Sequence, residues 1–306
     1  MKTKKELLII AVVAIALIAY LFLRKTDRTT YQLPNVEALA ADSITRIQIE
    51  EQNRSVVLEK RDDRWQVLPI DRPADNLKVG ALTDALAKLE LTALVSESGS
   101  LERYDLGPEK RIRVRAWAKD ALKRDIEIGK TAPTYQHTFV KFPDADKVYH
   151  ARSNLRSQFD GKPEDFRNKS VFSFQQAEVD RIQLTVEGST KTWVKETTAS
   201  EEKDKPAQVV WKSGEKTVET ERIDQVLNAL ATLRCEKFLE PDAARPTGTP
   251  ILEATVVGKD TQSLQVFDRL QPSDTTYPAT ASGQQDVFTV PGWKIDQWKK
   301  DWAGLP

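Results

Sequence analysis

The sequence predicts an α+β fold: an N-terminal transmembrane helix, then two homologous lobes of mainly antiparallel sheet with packed helices. Three observations predict it. Residues 7–23, LLIIAVVAIALIAYLFL, carry no charge. Beyond them, short segments of period-two alternation are interspersed with stretches of apolar residues spaced three and four apart; these are the marks of half-buried strands and amphipathic helices. The pattern of the first half then returns, in order, in the second.

Residues 1–6, with Lys2, Lys4 and Lys5, read as a cytoplasmic tail. The apolar run that follows spans about 25 Å as a helix at roughly 1.5 Å per residue, the short end of a bilayer crossing. A signal peptide cut at Ala14-Ile15-Ala16 would leave residues 17–23 exposed, so a retained anchor is the better reading. A buried core helix would show polar positions on one face. Arg24, Lys25 and Arg28 nearly balance the basic tail. A short basic N-terminus before one span keeps to the cytoplasm and sends the body across. Residues 24–40, with Pro34, read as a polar tether.

The body is charged but balanced, with 46 Lys and Arg against 46 Asp and Glu, which gives no reason to expect nucleic acid. Cys235 is the single cysteine, so no intrachain disulfide can form, and a small buried side chain is its plain reading. His137 and His150 stand in no metal-ligand spacing, and no cofactor is expected.

The first lobe is read over residues 41–160. Ile47 and Ile49, Val56 and Leu58, and Trp65 and Val67 mark three strands. Asp75 caps a helix whose stripe is Val79, Leu82, Leu86 and Leu89. Ile112, Val114 and Ala116 alternate with Arg111, Arg113 and Arg115; Ile126 and Ile128 alternate with Asp125 and Glu127. A hairpin of these two strands requires matching parity. Arg113 then opposes Asp125 or Glu127 across a loop of three or five residues. Strands around Phe139 and Val148-Tyr149 follow, then a helix over residues 151–159.

Residues 161–177 read as a linker that packs against both lobes, and 178–306 as the second lobe. Asp180-Arg-Ile-Gln-Leu184 echoes Thr45-Arg-Ile-Gln-Ile49, and Trp211 echoes Trp65. Residues 229–233 echo 85–89, Lys259-Asp260 echoes Lys119-Asp120, Val287-Phe288 echoes Val148-Tyr149, and Trp298 echoes Phe159. Equivalent tryptophans are therefore expected in the lobe cores, while Trp302 lies beyond the match and is freer to serve an interface. The insertion at 196–207 reads as a flexible hairpin tip and 241–250 as a loose connector.

The arginine strand does not repeat: Glu253 and Thr255 occupy its place. It reads either as a solvated face paired with Asp125 and Glu127, or as an anionic or partner-docking surface. Arg111, Arg113, Arg115 and Trp302 are the candidate binding residues. Gly129-Lys130-Thr131 lacks the upstream glycine of a phosphate loop, and no G-x-S-x-G elbow is present. The sequence offers no catalytic constellation, and the expectation is a protein without enzymatic activity.

Trp65-Gln-Val67, Pro73-Ala-Asp75, Tyr104-Asp-Leu-Gly107, Ile128-Gly129, Val148-Tyr149 and Asp165-Phe-Arg-Asn-Lys169 together resemble the family of domain of unknown function 4340. The resemblance covers most of residues 40–175 and, more loosely, the second lobe. It implies a bacterial membrane-anchored protein of the kind often encoded beside gliding-type ABC transporters, and brings no catalytic residues. Tyr104-Asp-Leu106 stands where that family is expected to have Tyr-Gly-Leu. On this reading the chain is a single-pass inner-membrane protein with its large domain in the periplasm. It would dock as an accessory subunit on a permease, ATPase or related envelope protein. The alternative is an ectodomain binding an envelope glycan or anionic lipid, at the arginine face or an inter-lobe cleft.

Overall fold

A computed structural model describes residues 12–15, 17, 20, 31–98, 100–198, 208–240 and 245–305. Of the expected membrane helix, the described residues 12–15, 17 and 20 are helical and exposed; the rest of that segment lies outside the described residues. Among the described residues no helix is long and apolar enough to cross a membrane. The expected hairpin tip falls mostly on residues 199–207, also outside them. The strands on either side of it pair in register up to Thr198 and Gln208.

The fold is α+β, with two nine-stranded antiparallel sheets. The first has the order β4-β3-β2-β1-β6-β7-β8-β9-β5, the second β13-β12-β11-β10-β15-β16-β17-β18-β14. Adding nine to each strand of the first order gives the second. The strands of the first sheet are β1 (Arg46–Glu51), β2 (Arg54–Arg61), β3 (Arg64–Leu68), β4 (Arg72–Pro73), β5 (Leu91–Ser96), β6 (Ile112–Ala118), β7 (Ala121–Thr131), β8 (His137–Lys141) and β9 (Val148–Arg152). Those of the second are β10 (Arg181–Val186), β11 (Ser189–Thr198), β12 (Gln208–Ser213), β13 (Lys216–Val218), β14 (Lys237–Phe238), β15 (Leu252–Val257), β16 (Thr261–Val266), β17 (Thr276–Ala281) and β18 (Phe288–Pro291). The α-helices of both halves are α1 (Asn76–Ala87), α2 (Leu155–Phe159), α3 (Thr220–Ala231) and α4 (Gly292–Ala303). The chain divides into two compact units, Met1–Val57 with Gly80–Asp160, and Leu58–Val79 with Gly161–Pro306.

In the first unit the alternation holds: Ile47, Ile49, Ile112, Val114, Ala116, Ile126 and Ile128 are all buried. Two local expectations are corrected and one strand is added. The β6–β7 loop is not odd. Ala118 pairs with Ala121, leaving a two-residue turn, and Lys123 is bulged out between the pairs Trp117–Leu122 and Ala116–Arg124. The bulge supplies the extra residue that parity demands. The helix expected over 151–159 is shorter, because Ala151 and Arg152 complete β9 and the Asn154 side chain accepts from the Ser157 amide to start α2. Strand β5, unforeseen, pairs with β9. It is half-buried along most of its length and shows no clean alternation.

Two backbone features explain sequence motifs. A Cβ on Gly129 would lie 2.1 Å from the Tyr104 carbonyl oxygen, so this glycine permits a close approach of two chain segments. Asp105, beside Tyr104, has φ 55°; aspartate tolerates that left-handed conformation and can stand where glycine is the easier choice.

Arg124 is buried on the core side of β7. Its Nε donates to the Leu86 carbonyl at 3.1 Å, at the negative end of α1, and its Nη1 to the Lys123 carbonyl at 3.0 Å. Its Nη2 donates to the carbonyl of Glu37, which fastens the tether residues to β7.

The second unit is built on one core that includes Trp193, Trp211, Ile223, Leu230, Phe288, Trp298 and Trp302. Trp211 and Trp298 are buried, as the echoes suggested, but Trp65 is only half-buried. Trp193, which the repeat did not single out, is fully buried. Cys235 is buried, and burial pushes its thiol up to about 11.

The stretch read as a linker is built into this unit. Ala74 bridges to Arg167 and Ser170 to Arg234. The Asn168 amide donates to the Pro73 carbonyl and the Val171 amide to that of Leu233. Asp75 accepts from the amides of Leu77 and Lys78 as the helix cap, and from Arg234 Nη2 at 2.6 Å. Asp286 takes Nε and Nη2 of Arg72 at 2.8 and 3.0 Å, and Nη2 of Arg167 at 2.6 Å.

Candidate functional site

The three arginines singled out in the sequence lie together on the water-facing side of the first sheet. Arg113 and Arg115 are on β6, and Arg111 immediately precedes it. Register builds a row of alternating charge across four strands: Glu50 opposite Arg113, Arg113 opposite Glu127, Glu127 opposite Lys141. The next row sets Gln48, Arg115 and Asp125 side by side.

The ion pairs run diagonally through these rows. Arg113 grips Asp125 with Nε and Nη2 at 2.9 and 2.7 Å, and this hydrogen bonding raises its pKa. Arg111 Nη1 lies 3.0 Å from Glu127. Arg115 Nη2 donates to Glu50 at 2.5 Å, and Gln48 to the same oxygen at 2.7 Å. Lys141 is buried; its ammonium lies 2.9 Å from Glu127 and donates to the carbonyls of Phe142, Pro143 and Ala145. The part-exposed pairs each contribute about 1 kcal/mol or less. The buried Glu127–Lys141 pair is different, because removing one partner leaves a charge without a counter-ion.

Beside this lattice, at the β1–β2 turn, is a groove of about 410 Å³ lined by Arg54, Arg111, Arg113, Glu50, Asn53 and Ser55 among others. Arg115 is not part of its walls; it donates to Glu50, and its guanidinium lies 5.9 Å from the Trp117 ring. The groove therefore takes in two of the three predicted arginines and adds Arg54. Position 50 was legible as the wet side of β1 by alternation with Ile47 and Ile49. Arg54 and Lys141 carried no such signal, since one begins a strand and the other is buried.

The same face of the second sheet has different chemistry. Where the first sheet has Glu50, Arg113, Glu127 and Lys141, the second has Thr185, Glu253, Gln265 and Thr280, paired in the same succession. Ser263 and Ser282 continue this surface, which frames a cavity of about 220 Å³. A charge lattice in one sheet is thus a largely neutral hydroxyl and amide surface in the other.

Trp302 does not join any surface. It is 4 % exposed and stacks on Trp298 with ring centres 4.6 Å apart. Among the described residues the tryptophan that faces solvent is Trp293, at 71 %. His137 and His150 stack at 5.5 Å, in a row of rings continued by Phe139 and Tyr104. Burial and then the neighbouring His137 hold His150 below the usual histidine range. Among the described residues no group of three or more His, Cys, Asp or Glu side chains could hold a metal ion.

Fold and site together define a two-unit α+β protein in which one strand order carries two unlike polar faces. The model of the family described as domain of unknown function (DUF4340) matches residues 67–250. The chain belongs to that family. No curated protein and no solved structure matches it significantly.

Proposed function

We infer that this chain is a membrane-anchored, extracytoplasmic accessory subunit of an ABC-transporter or envelope complex, and that it acts by docking rather than by catalysis. The observation that carries this reading is the uncharged stretch at residues 7–23, set directly ahead of a folded body. The basic tail before that stretch favours a single pass across the bacterial inner membrane with both units in the periplasm. The family resemblance adds the transporter as the partner class.

The position of the body supports the same reading. Residue 23 ends the apolar stretch, and Glu37 is already fastened by Arg124. The intervening chain reaches about 50 Å at full extension, so the first unit would work close to the bilayer. Trp293 and Leu270, 71 % and 70 % exposed, are among the large apolar side chains the second unit offers to a partner.

A tagged full-length chain recovered from native membranes in mild detergent tests this. The expected result is a permease and an ATPase in stoichiometric amount, reduced when Trp293→Ala is used. A chain that always comes out alone, with its neighbouring genes expressed, would overturn the reading.

A further inference from the structure

We propose that the groove at the β1–β2 turn of the first unit binds a phosphate ester, held by Arg54, Arg111 and Arg113. The inference does not rest on the docking reading.

The walls of the groove carry three guanidiniums and one carboxylate, an excess of two positive charges. That carboxylate, Glu50, is already occupied by Arg115 and Gln48. The carboxylates that balance the arginines are not part of the walls. Asp125 holds Nε and Nη2 of Arg113, Glu127 faces Nη1 of Arg111, and Glu51 and Asp160 take Nη2 of Arg54. A guanidinium has five N–H donors. Nη1 of Arg113, Nε and Nη2 of Arg111, and Nε and Nη1 of Arg54 make no hydrogen bond within the described residues. The ion pairs fix the three side chains while leaving donors for a ligand.

The second sheet serves as an internal control. At the places of Arg54, Arg111 and Arg113 it has Ser189, Ile251 and Glu253, and it forms the same strand order. The fold does not need the arginines. What the ion pairs do not explain is why three guanidiniums, each balanced from outside the groove, converge on its walls.

Three separate donor forks suit a tetrahedral oxyanion with several acceptor oxygens better than a planar carboxylate with two. The volume exceeds what a bare ion fills, so an organic group attached to the phosphate fits the groove, with Asn53 and Ser55 able to meet its polar atoms. A soluble phosphomonoester and a phospholipid headgroup share this chemistry.

The test is calorimetric titration of the full chain in a phosphate-free maltoside detergent. One arm adds glycerol 3-phosphate; the other adds micelles doped with phosphatidylglycerol. The variants are Arg111→Gln, in which Glu127 keeps Lys141 as its partner, and Arg54→Gln, each checked for an unchanged melting profile. Saturable binding in the first arm assigns a soluble ester, and binding in the second alone assigns a headgroup. In either case we expect each variant to weaken binding about tenfold. No binding in either arm, or binding that both variants leave unchanged, overturns the proposal.

Discussion

Asp286 holds two guanidiniums with one carboxylate, and one of them, Arg167, is buried with its charge centre 3.3 Å from the Phe238 ring. Hydrogen bonds from Arg72 and then Arg167 outweigh burial and lower the Asp286 carboxyl to about 2. An unfolded aspartate titrates near 3.9, so the folded state resists protonation. The resulting stability is fully present above about pH 4 and is lost as the pH falls towards 2; a shift of a little under two units corresponds to about 2.5 kcal/mol. We expect Asp286→Asn to make the fall in stability across that window shallower, Asp75 and Asp296 still contributing to it. It should also lower stability at pH 7 by about 3 kcal/mol, because Arg167 is left without its counter-ion. Urea melts at several pH values check this, and an unaltered acid slope in the variant would contradict it. Sequence could not have shown this contact. Arg72 and Asp286 are 214 residues apart, and neither lies in a periodic pattern. Cys235 was legible, because a lone cysteine just after an apolar helical stripe is most simply a buried one.

Helices and strands declared themselves where one face is buried and the other wet. Asp75, Val79, Leu82 and Leu86 gave α1 its start and its stripe, and Ile112 to Ala116 gave β6 its two faces. What stayed hidden was set by contacts distant in sequence. The bulge at Lys123 reconciles a two-residue turn with the parity of the flanking strands, and no single-strand pattern announces such an insertion. Strand β5 exists because β9 is there to pair with it. Gly129 is a similar case: the Gly129-Lys130-Thr131 sequence resembles a phosphate loop, whereas its glycine is required by the carbonyl of Tyr104. We predict that Gly129→Ala destabilises the first unit by about 2 kcal/mol, since the new methyl forces two packed segments apart. Asp105→Gly, at φ 55°, should be neutral or stabilising by up to about 1 kcal/mol. Chemical denaturation of both variants measures this, and a harmless Gly129→Ala would mean the two segments separate freely.

At the scale of the whole chain, the collinear echoes proved to mark equivalent elements of two sheets with one strand order. The arginine face was legible as a departure from that repeat, but its ion pairing was not, because diagonal partners depend on side-chain reach as well as register. The tryptophans separate in the same way. Trp302, read as freer to serve an interface, is buried against Trp298, while Trp293 is open. Trp302→Ala should therefore cost the second unit about 3 kcal/mol or more, and Trp293→Ala less than about 0.5 kcal/mol. Equal effects in thermal melts would be inconsistent with these placements. The grip of Arg124 on Glu37 also has a mechanical meaning. Tension arriving along residues 31–40 reaches Glu37 before it reaches β1. There it is passed sideways into β7, which is bonded to β6 on one edge and β8 on the other, and into the end of α1. Like the strain relief on a cable, the contact would take up part of a tug on the leading segment before it reaches the first strand of the sheet.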